Sequence, residues 1–372
     1  MLCRWKIRAG SLSIALALAM FAQQVTAQPI FHYQNPIQSE PLRDPQITKV
    51  GAEWYMTATS APFFEQNGPS PGVKIWRSKD LSHWNLATLA IAPSKNHWDK
   101  QRFWAPELFP YKSKWYLTFN CPFPDIKGPQ SVGLAVADRI TGPYRVLTTE
   151  TPLTHGNDAT LFQDDDGRVY LFIAGIVGME VDLEHAKVVG KSFHVISAGR
   201  NGEWDGTAEG GPKVSVEGPS VFKHGVTYYL LYASWGRGYE EGYATASNLA
   251  GPWAKFSGDP IYGAQDKPWT ELYKHVYTQN SNVPYTQVGH GSPFIGPDGR
   301  MWFGCHGYLK GPGQQPHLVI TPVTFDSAGA MRMTLTWTPQ EVLINKPFHL
   351  DLGATRLASI HLSALAMLHK SH

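Results

Sequence analysis

Asp44, Trp104, Asp158, Glu217 and His290 stand at one recurring place in the chain. Each precedes, by 10 or 11 residues, a run rich in aromatic or β-branched residues, referenced at Trp54, Trp115, Val169, Tyr228 and Met301 in turn. Three carboxylates, an imidazole and an indole form a set suited to acid–base chemistry: one carboxyl gives a proton, a second takes one, and a third tunes both by its charge. Taken singly, each residue has a plainer reading. Asp44 before Pro45 is a common turn residue, Asp158 after Gly156 and Asn157 shares that ambiguity, Glu217 fits an exposed loop, and a lone His290 is usually structural. Their coincidence at one place of a repeat argues for chemistry, because crowding negative charge around a narrow space costs stability unless it is used.

The elements that must position them come from five segments on one template. These run from Asp44-Pro45-Gln46-Ile47 to Trp54-Tyr55-Met56, from Ala105-Pro106-Glu107-Leu108 to Trp115-Tyr116-Leu117, from Asp158-Ala159-Thr160-Leu161 to Val169-Tyr170-Leu171, from Gly218-Pro219-Ser220-Val221 to Tyr228-Tyr229-Leu230, and from Ser292-Pro293-Phe294-Ile295 to Met301-Trp302-Phe303. Each is a short apolar run, a turn rich in Gly, Asp or Lys, and an aromatic run, which is the pattern of a β-hairpin. The reference residues are spaced by 61, 54, 59 and 73, room for four strands and their loops at each step. This predicts an all-β fold, a five-bladed β-propeller with four antiparallel strands per blade, over residues 28–345. A β-sandwich would explain the strands but not the five-fold repeat. Residues 346–372 read as a peripheral tail with a short helix.

In a propeller the first strand of each blade lines the axial channel, so the five candidate residues converge there. Blades three and four are neighbours, which puts Asp158 beside Glu217 and predicts a raised pKa for Glu217, the proton donor. Asp44 lies across the channel with room for a water. That arrangement suits an inverting glycosidase, whose acid and base carboxyls sit ~6.5–9.5 Å apart. Trp104 offers a flat face to a sugar ring, and His290 could hydrogen-bond substrate or ligate an ion. The acidic turn Asp164-Asp165-Asp166-Gly167 lacks the spacing of a calcium loop and reads as a solvated hairpin turn. No Gly-x-Ser-x-Gly elbow, His-Glu-x-x-His helix or phosphate loop is present.

Composition narrows the class. The 372 residues are 42% hydrophobic but only 17% charged, against about 25% in ordinary soluble domains, which excludes a disordered chain or a coiled coil. Arg4, Lys6 and Arg8 precede the apolar run 14–22 and Val25-Thr26-Ala27, so residues 1–27 read as a signal peptide and the mature chain as secreted or periplasmic. That leader holds three of the 32 basic residues and none of the 30 acidic ones, leaving 29 against 30. A near-neutral protein has no electrostatic case for nucleic acid or a membrane surface as partner. Cys3 departs with the leader, and Cys121 and Cys305, in blades two and five, are expected to remain unpaired. The long connections 60–72 and 263–289 are expected to wall one mouth of the channel.

Arg43-Asp44-Pro45-Gln46-Ile47, Trp104-Ala105-Pro106-Glu107-Leu108, Asp158-Ala159-Thr160-Leu161-Phe162 with its acidic turn, Glu217-Gly218-Pro219 and Gly289-His290-Gly291-Ser292 together resemble glycoside hydrolase family 43. The resemblance implies a five-bladed propeller that hydrolyses arabinose- or xylose-containing plant polysaccharides with inversion, with Asp44 as general base, Asp158 as the residue that tunes and orients, and Glu217 as general acid. It also implies, through His290, a structural Ca²⁺ in the channel that the chemistry does not require. Where many relatives read Asp-Pro-Thr, this chain has Asp158-Ala159-Thr160, which leaves the carboxylate intact. Little chain follows the fifth blade, where many family xylosidases carry a β-sandwich, and this tilts the expectation toward an α-L-arabinofuranosidase. A non-catalytic carbohydrate-binding propeller and an endo-acting arabinanase are the competing readings.

Overall fold

The computed structural model describes residues 28–37, 39–63, 66, 68–93, 103–124, 127–199, 204–206, 216–234, 239–256, 260–264, 282–311 and 313–344. The leader 1–27, the tail 346–372 and most of the connection 263–289 lie outside the described residues.

A short strand β1 (Ile30–Tyr33) precedes five antiparallel sheets. The first blade is β2 (Leu42–Val50), β3 (Glu53–Ser60), β4 (Val73–Ser78) and β5 (Asn85–Ile91), in that order from the axis outward. The second is β6 (Trp104–Tyr111), β7 (Lys114–Pro122) and β8 (Gln130–Ala137), with two short outer pieces, β9 (Arg145–Val146) and β10 (Thr154–His155), both on β8. The third is β11 (Thr160–Gln163), β12 (Val169–Ile173), β13 (Val177–Asp182) and β14 (Lys187–His194). The fourth is β15 (Val216–His224), β16 (Thr227–Ser234) and β17 (Glu240–Ala246), again with a divided outer strand, β18 (Ala254–Lys255) and β19 (Tyr262–Gly263). The fifth has three strands, β20 (Tyr285–Ile295), β21 (Met301–Leu309) and β22 (Pro316–Pro322), followed by a separate hairpin of β23 (Thr324–Phe325) and β24 (Met331–Arg332). Finally β25 (Gln340–Leu343) pairs antiparallel with β1. The fold is the five-bladed propeller that the repeat predicts. The outermost strand varies from blade to blade, being whole in blades one and three only.

Each core cluster is an interface between blades. Trp54, Met56, Phe294 and Trp302 join blades one and five, Tyr55, Ile75, Leu117 and Phe119 join one and two, and Phe109, Tyr116, Leu161 and Leu171 join two and three. Phe172, Trp204, Leu230 and Tyr232 join three and four, and Leu231, Tyr243, Phe303 and Cys305 join four and five. This explains why middle strands such as β3 are buried along nearly their whole length rather than on alternate residues, since both sheet faces meet a neighbour. Hydroxyls latch the inner strands together: Thr57 donates to Pro106 O (2.6 Å) and Thr118 to Ala159 O (2.8 Å). Cys121 and Cys305 are buried, form no disulfide, and belong to different interfaces.

Candidate active site

Four of the five inner strands carry a β-bulge near their start, between Arg43 and Gln46, Trp104 and Glu107, Glu217 and Ser220, and Gly289 and Ser292. At each bulge one residue turns left-handed: Asp44 (φ 53°), Ala105 (40°), Gly218 (56°) and His290 (53°), with Asp158 (54°) matching them just before β11. This defines the true equivalence, and it corrects the count from the aromatic runs. Blades one, two and four turn with two residues between the paired strands, so the special residue lies 10 positions back; blades three and five turn with five, so it lies 11 back. Ala105 and Gly218 are therefore the equivalents of Asp44, and Trp104 and Glu217 sit one residue earlier, in register with Arg43. The extra residue of a bulge re-aims the side chains beside it, which lets Glu217 still reach the axis.

Asp44, Asp158, Glu217 and His290 come together there. His290 Nδ1 lies 3.2 Å from Asp44 Oδ1 and 3.3 Å from Glu217 Oε1, so those two oxygens are at most about 6.5 Å apart. Donor atoms of Asp158, Glu217 and His290 all fall within 4.8 Å of one another. Asp158 Oδ2 accepts from the Gly218 amide at 3.2 Å, a bond that ties blade three to blade four. Trp104 heads β6 and is half-buried.

The electrostatics follow from burial and crowding. Burial pushes the Asp44 carboxyl up, but His290 above all, with the Thr59 hydroxyl (Oγ1 to Oδ2, 2.6 Å) and Arg43, holds it below the ordinary carboxylate range. For Asp158 the same relief falls short: burial first, then Glu217 and Asp44, lift it well above that range against the pull of His290 and the Gly218 amide. The repulsion predicted between Asp158 and Glu217 thus exists, and the carboxyl it holds up is Asp158, only 5% exposed. Burial alone would push His290 down, yet Asp44, Asp158 and Glu217 keep it well above its ordinary value, so its imidazolium is the cation of the site. Two further acids, half-buried Glu107 and fully buried Glu241, lie within its reach. Glu107, bonded by Thr160 Oγ1 at 2.7 Å, is pushed up to about 7 by burial, and Glu241 likewise to about 8.

Calcium fits this donor set poorly. The ion takes six to eight oxygens, whereas the cluster offers two carboxylates and one imidazole, with Nδ1 of His290 turned to Glu217 and Asp44. The acidic turn is no better placed. Asp165 pairs with Lys223, Asp166 with Arg168, and Asp164 accepts from Tyr228.

Several residues escaped the sequence reading because they lie on second and third strands. Thr59 and His306 both face a bulge, paired with Arg43 and Gly289 respectively. Tyr239, just before β17, sets its ring edge-on to His306 at 4.5 Å and lies 6.1 Å from the His290 ring. Gly289 makes that approach possible, since a Cβ there would meet Tyr239 and the Glu240 amide at 3.1 Å. Arg43 lies 4.2 Å over the Phe63 ring and 5.6 Å from that of Tyr308, which sets one residue of the connection 60–72 against the neighbour of Asp44. The one available signal was the position opposite the bulge, which recurs as Thr59, Asn120, Ala233 and His306.

Comparison with known proteins agrees with this architecture. The profile of Glycosyl hydrolases family 43 matches residues 33–331. The chain is 26% identical over 297 residues to xylosidase/arabinosidase 43B of Humicola insolens, covering 72% of this chain and 48% of that protein. It is 25% identical over 360 residues to a non-reducing end alpha-L-arabinofuranosidase of Bacteroides ovatus, covering 90% and 58%. It spans about half the length of the curated relatives it matches. Among solved structures, a thermostable family-43 glycoside hydrolase superposes with TM-score 0.67 at 25% identity, over 85% of this chain and 100% of the other. The Cellvibrio cellulosa alpha-L-arabinanase bound to arabinohexaose shares the fold, with TM-score 0.59 at 18% identity over 80% and 96%. With four fifths of its length under one family profile, the chain belongs to glycosyl hydrolases family 43.

Proposed function

We propose that this chain is a secreted glycoside hydrolase that removes terminal α-L-arabinofuranosyl or β-xylosyl units from plant oligo- or polysaccharides with inversion. Asp44 is the general base, Glu217 the general acid, and Asp158 the group that orients and tunes. The observation that carries the reading is the single nitrogen, His290 Nδ1, that reaches both Asp44 and Glu217 on the channel axis with Asp158 beside it. Asp44, kept ionised by its surroundings, suits proton abstraction from water. Asp158, with its raised affinity, keeps a proton, so that three carboxylate charges do not crowd around the one His290 imidazolium. The stereochemistry is carried by the family likeness, because a ceiling of about 6.5 Å spans both the retaining and the inverting ranges. Proton NMR of the first-formed sugar reads it directly.

Names among the relatives support both pentoses, and arabinofuranosyl is preferred because the match covering most of the chain is to an arabinofuranosidase. Export is supported by the basic and then apolar leader 1–27. The test pairs two variants with two leaving groups. Glu217→Gln should lose ~10²–10⁴-fold on natural sugars and far less on an aryl glycoside whose leaving group departs unprotonated, whereas Asp44→Asn should lose similarly on both. Selective rescue of Asp44→Asn would reverse the two roles. A panel of aryl pentosides and linear arabinan oligosaccharides separates exo action from endo action, and no turnover on any would favour a binding propeller.

A further inference from the structure

We propose that His306 is a positioning residue for Asp44: across the junction of blades five and one, it holds the Asp44 backbone in the left-handed conformation that aims the carboxylate at the channel axis. This rests on the reading of Asp44 as base.

The argument starts at the bulge. A left-handed non-glycine residue is costly, about 1–2 kcal/mol, and its N–H has left the strand ladder, so something must both receive that N–H and resist relaxation. For Asp44 the receiver is His306 Nδ1, at 3.2 Å. Because Nδ1 accepts, the ring proton sits on Nε2 and the imidazole is neutral, in keeping with the burial that pushes its pKa down to about 3. His306 therefore acts on Asp44 by a hydrogen bond. The ring is fully buried and cannot turn, held edge-on by Tyr239 at 4.5 Å and Tyr308 at 5.6 Å.

The repeat supplies an internal control. In blades one and two the residue opposite the bulge receives a backbone N–H from the start of the next blade. Thr59 Oγ1 accepts from the left-handed Ala105 at 2.8 Å, and Asn120 Oδ1 from Ala159, next to the left-handed Asp158, at 3.4 Å. For the left-handed Gly218, the catalytic-floor carboxylate Asp158 does the work instead. The fifth blade alone uses an imidazole for this purpose, and it does so for the residue proposed to take the proton.

The test compares His306→Phe, which keeps a ring but loses the acceptor, with His306→Asn, which restores the acceptor that blade two uses. Both are assayed in the full chain on aryl glycosides with good and poor leaving groups, beside Asp44→Asn. His306→Phe should lose roughly 10- to 100-fold in kcat, equally on both leaving groups, with KM close to the parent and a melting temperature lower by about 2–4 °C because the Asp44 amide loses its acceptor. His306→Asn should recover most of that loss. Should the Phe variant not fold, His306→Ala, which reproduces Ala233 of blade four, carries the same comparison. The inference is overturned by a kcat within twofold of the parent, by a loss confined to poor leaving groups, or by an Asn variant as impaired as the Phe or Ala variant. If Asp44→Asn itself is selectively rescued by a good leaving group, it is the base assignment that fails, whatever His306 does.

Discussion

Substituting Gly218 by Ala tests the site through a residue that has no side chain. A Cβ at this position would lie 2.8 Å from Cδ2 of His290 and 3.1 Å from its Cγ and Nε2. Carbon contacts settle near 3.5–4.0 Å, so the imidazole must retreat by roughly 0.7 Å or more. Its Nδ1 contacts of 3.2 and 3.3 Å to Asp44 and Glu217 do not survive such a shift. The substitution also forces Ala to φ +56°, a penalty of about 1–2 kcal/mol with no bearing on His290. Gly225→Ala isolates that penalty, because Gly225 has φ +60° and nothing within 4 Å of a built Cβ. Gly225→Ala should lower the melting temperature by about 2–4 °C and leave kcat unchanged. Gly218→Ala should destabilise at least as much and lose about 10²-fold in kcat, the usual cost of misplacing a reacting group by nearly an ångström. The assay is steady-state kinetics on an aryl pentoside alongside thermal melts. A Gly218→Ala enzyme with kcat within threefold of Gly225→Ala would show that His290 does not hold the floor together.

Two further outcomes are expected. Glu107 is pushed from an ordinary 4.5 up to about 7, so above pH 4.5 the unfolded chain releases a proton that the native state keeps, and stability falls as pH rises toward 7, by at most about 3 kcal/mol. Glu107→Gln, neutral throughout, should make that slope shallower in melts between pH 4.5 and 7, the remainder belonging to Asp158 and Glu241; an unchanged slope would contradict the raised pKa of Glu107. Thr59→Val removes the 2.6 Å bond to Asp44 and orphans the Ala105 amide, so stability should fall by about 1–2 kcal/mol in denaturant melts. Since Thr59 helps hold the Asp44 pKa down, the acid limb of kcat/KM should move to higher pH; an acid limb that stays put would contradict this account of Asp44.

The propeller was legible because hairpin chemistry repeats five times, and turns such as Asp165-Asp166-Gly167 announce themselves locally. The three carboxylates and His290 were legible for the same reason: a repeat normally keeps packing residues, so charge at an equivalent place stands out. What stayed hidden was the bulge. Ala105 and Gly218 carry no signal of left-handed geometry that a count from Trp115 or Tyr228 can detect, and the count settled on their polar neighbours. Thr59, Tyr239 and His306 were hidden differently, since their relation to Asp44 depends on which second strand faces which blade, a long-range fact. That Asp158 is held up follows first from its depth in the channel, which spacing does not encode.

Strands β1 and β25 bring the two ends of the described chain together, with Phe31 and Tyr33 set against Trp302 at 5.7 and 5.1 Å. Every blade is built from contiguous chain, so no blade is shared between the ends, and the circle is shut by side-chain packing and by this two-stranded clasp. Asp44 stands on one side of that join, while His290 and His306 stand on the other. A partial gaping of the circle at the join needs far less free energy than melting the sheets, and it would pull the base away from both imidazoles while leaving each blade whole. Catalytic competence is therefore a property of the shut circle rather than of any blade. On gradual heating or in rising denaturant, turnover should vanish while the β-sheet signal is still intact, which makes the enzyme's own activity a gauge of how firmly its two ends are fastened.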